Sequence, residues 1–332
     1  MADSGSTHHE VRIGSFQTTE SSLSQTPPHT SEAKAASIRE GDVYEAEALA
    51  ATEDPNRPSN WFRRLVYDWN AEVGEFLAML VFVFIGCCIT AECVFRLPHS
   101  AGSMDISICF GWGCALVGAA MVAGPTSGGH LNPAVTIGKA VFGHYPWKRV
   151  PGMVFAQTLG CFVGAFFTWC YYHPMFSVVD GGHRMSVGPK ATSFIFVIQP
   201  VTSGIFTNTN LFFNEAMMTF CMLFMVHFCG DSRIHKDVTA IPIILGLLLT
   251  GVLLGGSQIS AIGINPARDF GPRLFILIAG WRDTFSIHNY NFYVPLLSPI
   301  VGGIAAQGVY DYLIVPSYIT NAHKAKSRPS EH

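Results

Sequence analysis

Six long apolar stretches dominate the chain, near residues 74–95, 105–124, 151–172, 209–230, 238–258 and 292–315. About 20 apolar residues suffice to cross a ~30 Å hydrocarbon core, so this pattern predicts six membrane-spanning helices. Two further apolar stretches, near 131–143 and 264–280, are too short or too interrupted by Gly and Pro to cross. Residues 1–70 are polar, carry Pro27, Pro28, Pro55 and Pro58, and cannot bury enough apolar surface to offset their ordering entropy. They are expected to form a disordered N-terminal tail ahead of a membrane domain at 71–316 and a short C-terminal tail at 317–332. At the end of the N-terminal tail, Trp61, Phe62, Leu65, Val66 and Trp69 interleave with Arg63 and Arg64 at roughly helical spacing. That pattern fits a short helix lying on a membrane surface or a plain turn into the first span.

The two short stretches resemble each other. One contains Asn132-Pro133-Ala134 and the other Asn265-Pro266-Ala267, and each comes after a span whose start carries a glutamate, Glu75 or Glu215. The chain therefore reads as two similar halves of three spans each. Three is odd, so the second half enters the membrane inverted, an arrangement that places a functional site at the midplane where broken helices meet. Proline is favoured at the first helical position and asparagine as the cap before it, so each Asn-Pro-Ala starts a helix. A half-helix of about 12 residues spans about 18 Å, roughly half the core. Two of them entering from opposite faces bring their N-termini together, with positive dipole ends facing each other and the Asn132 and Asn265 amides free to donate to a passing oxygen. The irregular backbone before each motif survives at that depth only when it is buried in protein or lines water. The expected fold is an all-α membrane protein: six transmembrane helices plus two re-entrant half-helices, in inverted three-span repeats around a central pore.

Composition supports the membrane assignment. Of the 332 residues 49% are hydrophobic and only 13% charged, against about 25% charged in an ordinary soluble domain. A net charge of −3 gives no reason to expect a nucleic-acid partner. The nine cysteines all fall in or beside apolar runs without metal-ligand spacing, so they read as small buried hydrophobes, with no metal and no cofactor implied. Arg57, Arg63, Arg64, Lys148, Arg149, Arg233, Lys236, Lys324, Lys326 and Arg328 lie in the tails or even-numbered loops, which predicts cytoplasmic termini.

On the two Asn-Pro-Ala motifs, both glutamates and Gln157, the chain closely resembles the major intrinsic protein family, the aquaporins and glycerol facilitators, over about residues 72–315. The resemblance implies a homotetramer with one pore per subunit, in a membrane that is expected to be the plasma membrane. It implies a selectivity filter of Phe110, Leu253, Ile262 and Arg268, with Trp112 two residues from Phe110 as the alternative that a slip in register would select. Glu75 and Glu215 would hold the two loops in place. Within the family, Asp269, Arg273, Tyr171 and the pair Pro295 and Leu296 match the glycerol branch, and a strict water channel would carry histidine at 253 and serine at 269. The glycerol branch itself usually has Trp at position 110, Gly at 253 and an aromatic residue at 262, so Leu253 narrows the expected opening. The implied function is a passive channel for water and small neutral solutes such as glycerol that excludes protons and ions.

Two other readings stay open at this point. A strict water channel would share the fold. A secondary transporter of small polyols would need ionisable residues along its pathway for coupling, and Arg268 alone qualifies. An enzyme is not expected, because the thirteen histidines form no nucleophile–base pair or metal cluster in the sequence.

Overall fold

The structure, a computed structural model, describes residues 57–96, 106–200, 204–231, 233 and 239–318. The tail at 1–56 and the segment 319–332 lie outside the described residues, and the expectation of disorder there goes with them. The part of the tail next to the membrane domain does carry structure. Helix α1 (Trp61–Asp68) begins where the Asn60 side chain accepts from the backbone N–H of Phe62 and Arg63, so the tail boundary expected at 70 falls inside ordered chain. The C-terminal boundary expected at 317 likewise falls one residue inside the last described helical turns.

The six expected spans appear as α2 (Asn70–Arg96), α3 (Ile106–Ser127), α5 (Val150–Asp180), α6 (Asn208–Gly230), α7 (Ile241–Gly256) and α9 (Val294–Val309), the last continued by a π-helical turn at Tyr310–Ile314. Five of these helical stretches are long and apolar enough to cross a membrane outright, while α7 has 16 residues. At 1.5 Å per residue α7 spans about 24 Å, a little short of the full core. Between the spans lie the two half-helices α4 (Pro133–Val141) and α8 (Pro266–Ala279), 9 and 14 residues long. Proline stands first in both, where its missing N–H costs nothing.

The packing repeats across the two halves. Helix α2 lies against α3 and α5, and its counterpart α6 lies against α7 and α9. Each half-helix packs on the third span of the opposite half, α4 on α9 and α8 on α5, while α3 crosses α7. Glycine makes these close approaches possible at matching positions. A Cβ on Gly160 of α5 would run into the Phe76 carbonyl of α2, and one on Gly302 of α9 into the Ala216 carbonyl of α6. The nine cysteines form no disulfide; Cys87, Cys109, Cys161 and Cys229 are buried, whereas Cys114, Cys170 and Cys221 face outward, contrary to the expectation of uniform burial. That difference follows from the solvent, since a thiol facing lipid is as comfortable as one in a core.

Candidate functional site

The two Asn-Pro-Ala loops meet in the middle of the bundle and hold each other. The Asn132 side chain accepts from Ala134 N–H at 2.8 Å, capping α4, and donates from Nδ2 to the Ile264 carbonyl at 2.8 Å. Asn265 does the same in mirror fashion: its Oδ1 accepts from Ala267 and Arg268 N–H, and its Nδ2 donates to the Leu131 carbonyl at 2.6 Å. A side-chain amide carries two N–H groups, so each asparagine keeps one donor for something else.

The residues just before the asparagines are strained. Leu131 and Ile264 have φ of 54° and 45°, a left-handed conformation that non-glycine residues avoid and that costs on the order of 1–3 kcal/mol each. Glu75 and Glu215 supply the restraint. Glu75, fully buried, accepts from His130 N–H at 2.7 Å, Leu131 N–H at 2.6 Å, the Ser127 hydroxyl at 2.5 Å and Gln157 Nε2 at 2.8 Å. Glu215, equally buried, accepts from Gly263 N–H at 3.0 Å and Ile264 N–H at 3.1 Å. Neither carboxylate lines the cavity. In both halves, then, the strained residue gives its N–H to a glutamate of its own half and its carbonyl to an asparagine of the other.

A cavity runs past this junction. Both loop backbones line it, at 129–132 and 261–265, with Asn132 and Asn265 facing it. Leu253, Ile262 and Arg268 stand along it together, and Leu245, Leu249, Met222 and Leu223 give it apolar walls. The other member of the expected filter is not there. Phe110 is 54% exposed on the outer face of α3, whereas Trp112 is 3% exposed and lines the cavity. Two residues along a helix turn the side chain by about 200°, so the register, and not the residue type, decides between them. Trp112 is the aromatic wall. Its ring lies under the Arg268 guanidinium at 4.2 Å, and its indole N–H donates to Thr90 Oγ1 at 3.1 Å.

Arg268 is buried to 7% exposure and donates to the Phe196 carbonyl at 2.9 Å. The remaining N–H groups of its five-donor fork are what the cavity can use. The Phe196 carbonyl is itself held from behind. Asp269 and Arg273, both buried, form an ion pair at 2.7 Å; Asp269 accepts from Ile198 N–H at 2.6 Å, and Arg273 donates to the carbonyls of Ile198 and Thr284. These two residues thus brace the 194–200 segment that positions Arg268, and they do not face the cavity. The contribution of that segment, through Phe194, Phe196 and Ile198, was missed from sequence; the one available hint was an aspartate and an arginine four apart in an apolar half-helix, which must pair with something. Thr90 carried no such hint.

The remaining signature residues are placed elsewhere. Tyr171 is 71% exposed and meets Tyr172 edge-on, away from the cavity. Pro295 is buried at the start of α9 and Leu296 half-buried beside it, both outside the cavity lining.

The geometry agrees with what the chain is similar to. A family model described as major intrinsic protein matches residues 63–310. The chain is 36% identical to Aquaglyceroporin-2 of Rhizophagus irregularis over 269 residues, covering 80% of this chain and 83% of that protein. It is 35% identical to Aquaglyceroporin-3 of Trypanosoma brucei brucei, covering 81% and 87% of the two chains, and 30% identical to human Aquaporin-9, covering 78% and 89%. Among solved structures, the aquaglyceroporin from Plasmodium falciparum superposes with a TM-score of 0.65 at 30% identity, covering 76% of this chain and 99% of that one.

Proposed function

The chain belongs to the major intrinsic protein family, and from that premise we propose that it is a passive channel for water and small neutral solutes such as glycerol, closed to protons and ions. The observation that carries this reading is the cavity's two-sidedness. Trp112, Leu253 and Ile262 give one apolar wall, while Arg268 and the loop backbone give a polar edge. Glycerol has a carbon face and a hydroxyl face, so such a lining satisfies its hydroxyls without leaving buried polar groups unpaired. A tryptophan at the aromatic position is the residue expected of the glycerol branch, and two of the relatives are named aquaglyceroporins.

In this reading Asn132 and Asn265 each use their second amide hydrogen to hold a passing oxygen. The positive ends of α4 and α8 face each other there and, with Arg268, repel cations and hydronium. Leu253 sets the width. Asp269 and Arg273 act at one remove by fixing the backbone that holds Arg268. The basic residues of the tails and even-numbered loops support cytoplasmic termini, and membership of the family supports assembly as a homotetramer.

Stopped-flow light scattering of proteoliposomes tests the solute. Vesicles should shrink quickly under a sucrose gradient and re-swell as glycerol enters, with no ion gradient present. Rapid shrinkage without glycerol entry above empty vesicles would leave a strict water channel, and a requirement for an ion gradient would indicate a coupled transporter. Leu253→Gly should raise glycerol flux several-fold, and Leu253→His should favour water, because it adds a polar group and narrows the opening.

A further inference from the structure

Helix α1 has a face that nothing among the described residues covers. No residue in it is buried, and Trp61, Phe62, Leu65 and the following Trp69 are all exposed, Trp61 to 75%. At 100° per residue the apolar side chains 61, 65, 69, 62 and 66 occupy an arc of about 140°, with Arg63, Tyr67, Arg64 and Asp68 on the remainder. An isolated helix of eight residues is marginal in water, so its surroundings must stabilise it. Its one acid is already spent, because Asp68, the last residue of the helix, forms a forked ion pair with Arg57 in the segment that precedes it. Arg63 and Arg64 are left to set the charge of the exposed polar edge.

A second element lies at the same level. The Trp69 ring packs close to Gly152 near the start of α5, and Arg149 pairs with Glu72 near the start of α2. The turn Trp147–Arg149 is thereby fixed beside the start of α2, and it presents Trp147, 58% exposed, next to the exposed Lys148. Exposed tryptophans flanked by arginine and lysine at the start of two membrane spans make the composition that a lipid headgroup layer favours.

We propose that α1 and the Trp147 turn form an in-plane foot resting in the headgroup layer of an anionic leaflet. Trp61, Phe62, Leu65 and Trp69 enter the acyl boundary, and Arg63 and Arg64 reach lipid phosphates and carboxylates. The occupant is lipid because α1 leads through the exposed Trp69 directly into the membrane-spanning α2, and because Asp68, the one acid of α1, is paired with Arg57, so the arginines of its polar edge face an anionic surface better than a basic partner. The inference rests on the membrane placement of the spans and not on which solute the channel passes.

The test uses the full chain in vesicles of phosphatidylcholine alone or mixed with phosphatidylserine. Subtracting the emission of Trp61→Phe from that of the parent isolates the Trp61 signal. It should be blue-shifted, shielded from acrylamide and quenched by lipids brominated near the headgroup end of the acyl chain. Shielding should be stronger with phosphatidylserine and weaker at high salt, and the double variant Arg63→Gln/Arg64→Gln should lose the difference between the two lipids. Water flux in the same vesicles reports that each variant is folded. An acrylamide-accessible Trp61 overturns the proposal, as does a blue-shifted Trp61 that brominated lipid fails to quench, which would mean a second copy covers the face. A phosphatidylserine effect that survives in the double variant overturns the role of the arginines.

Discussion

Phe110 and Trp112 differ by two positions on α3 and point to opposite sides of it. Phe110→Ala should therefore leave the ratio of glycerol to water flux unchanged, whereas Trp112→Ala should raise it several-fold by removing the ring that packs against Arg268. Thr90→Val should shift the same ratio without touching the cavity's charge, because it strands the indole N–H of Trp112 at a cost of about 1–3 kcal/mol. The glutamates answer to a different measurement. Glu75→Gln and Glu215→Gln weaken charge-assisted bonds to strained backbone, each bond to a charged group contributing about 1.5–3 kcal/mol. Both variants should lower the yield and thermal stability of folded protein while the glycerol-to-water ratio stays put. A changed ratio at normal yield would put the carboxylates in contact with solute.

At the scale of elements, the legible parts were those set by local chemistry. Asparagine as cap and proline at the first helical position are decided within three residues, so both half-helices could be read directly, down to Asn132 and Asn265. The inward face of α3 could not. Its sequence is apolar on every side because lipid on one side and core on the other demand the same residue types, so no periodicity distinguishes position 110 from 112. The 194–200 segment escaped for another reason: its hold on Arg268 is a backbone carbonyl, which any sequence can supply. Helix crossings give a sharper prediction. Gly160→Leu and Gly302→Leu should each destabilise by about 1–3 kcal/mol or more, since both press on backbone of the neighbouring helix that cannot move aside. Gly118→Ala on α3, where a Cβ meets nothing within 4 Å, should be neutral or slightly stabilising. Thermal unfolding in detergent or lipid measures all three.

Across the whole molecule, the end of α6 is tied to the end of α9. Asp231, just past α6, accepts from Tyr310 Oη at 2.5 Å and pairs with Arg233. Burial pushes the Asp231 carboxyl up, but the hydrogen bonds from Arg233 and Tyr310 outweigh it and bring the group from an ordinary 3.8 down to about 2. A carboxylate held low stabilises the folded state above its ordinary pKa and loses that contribution as pH falls. The tie should be fully present above about pH 4 and fade between about 4 and 2. Asp231→Asn should lower the melting temperature at neutral pH and flatten the profile across that window.

The crossed asparagine bonds carry a consequence for how the protein is made. Asn132 waits for the carbonyl of Ile264, and the Leu131 carbonyl waits for Asn265, partners 132 and 134 residues further along the chain. At about 5–20 residues per second of synthesis, the first loop spends roughly 7–27 s in the membrane before its partner exists. During that interval a strained backbone and an unpaired amide need another host, whether water in a half-built vestibule or the insertion machinery itself. The first half is thus an obligate intermediate that cannot reach its native conformation alone. Arrest of translation between the two motifs should leave it the preferred target of membrane quality control.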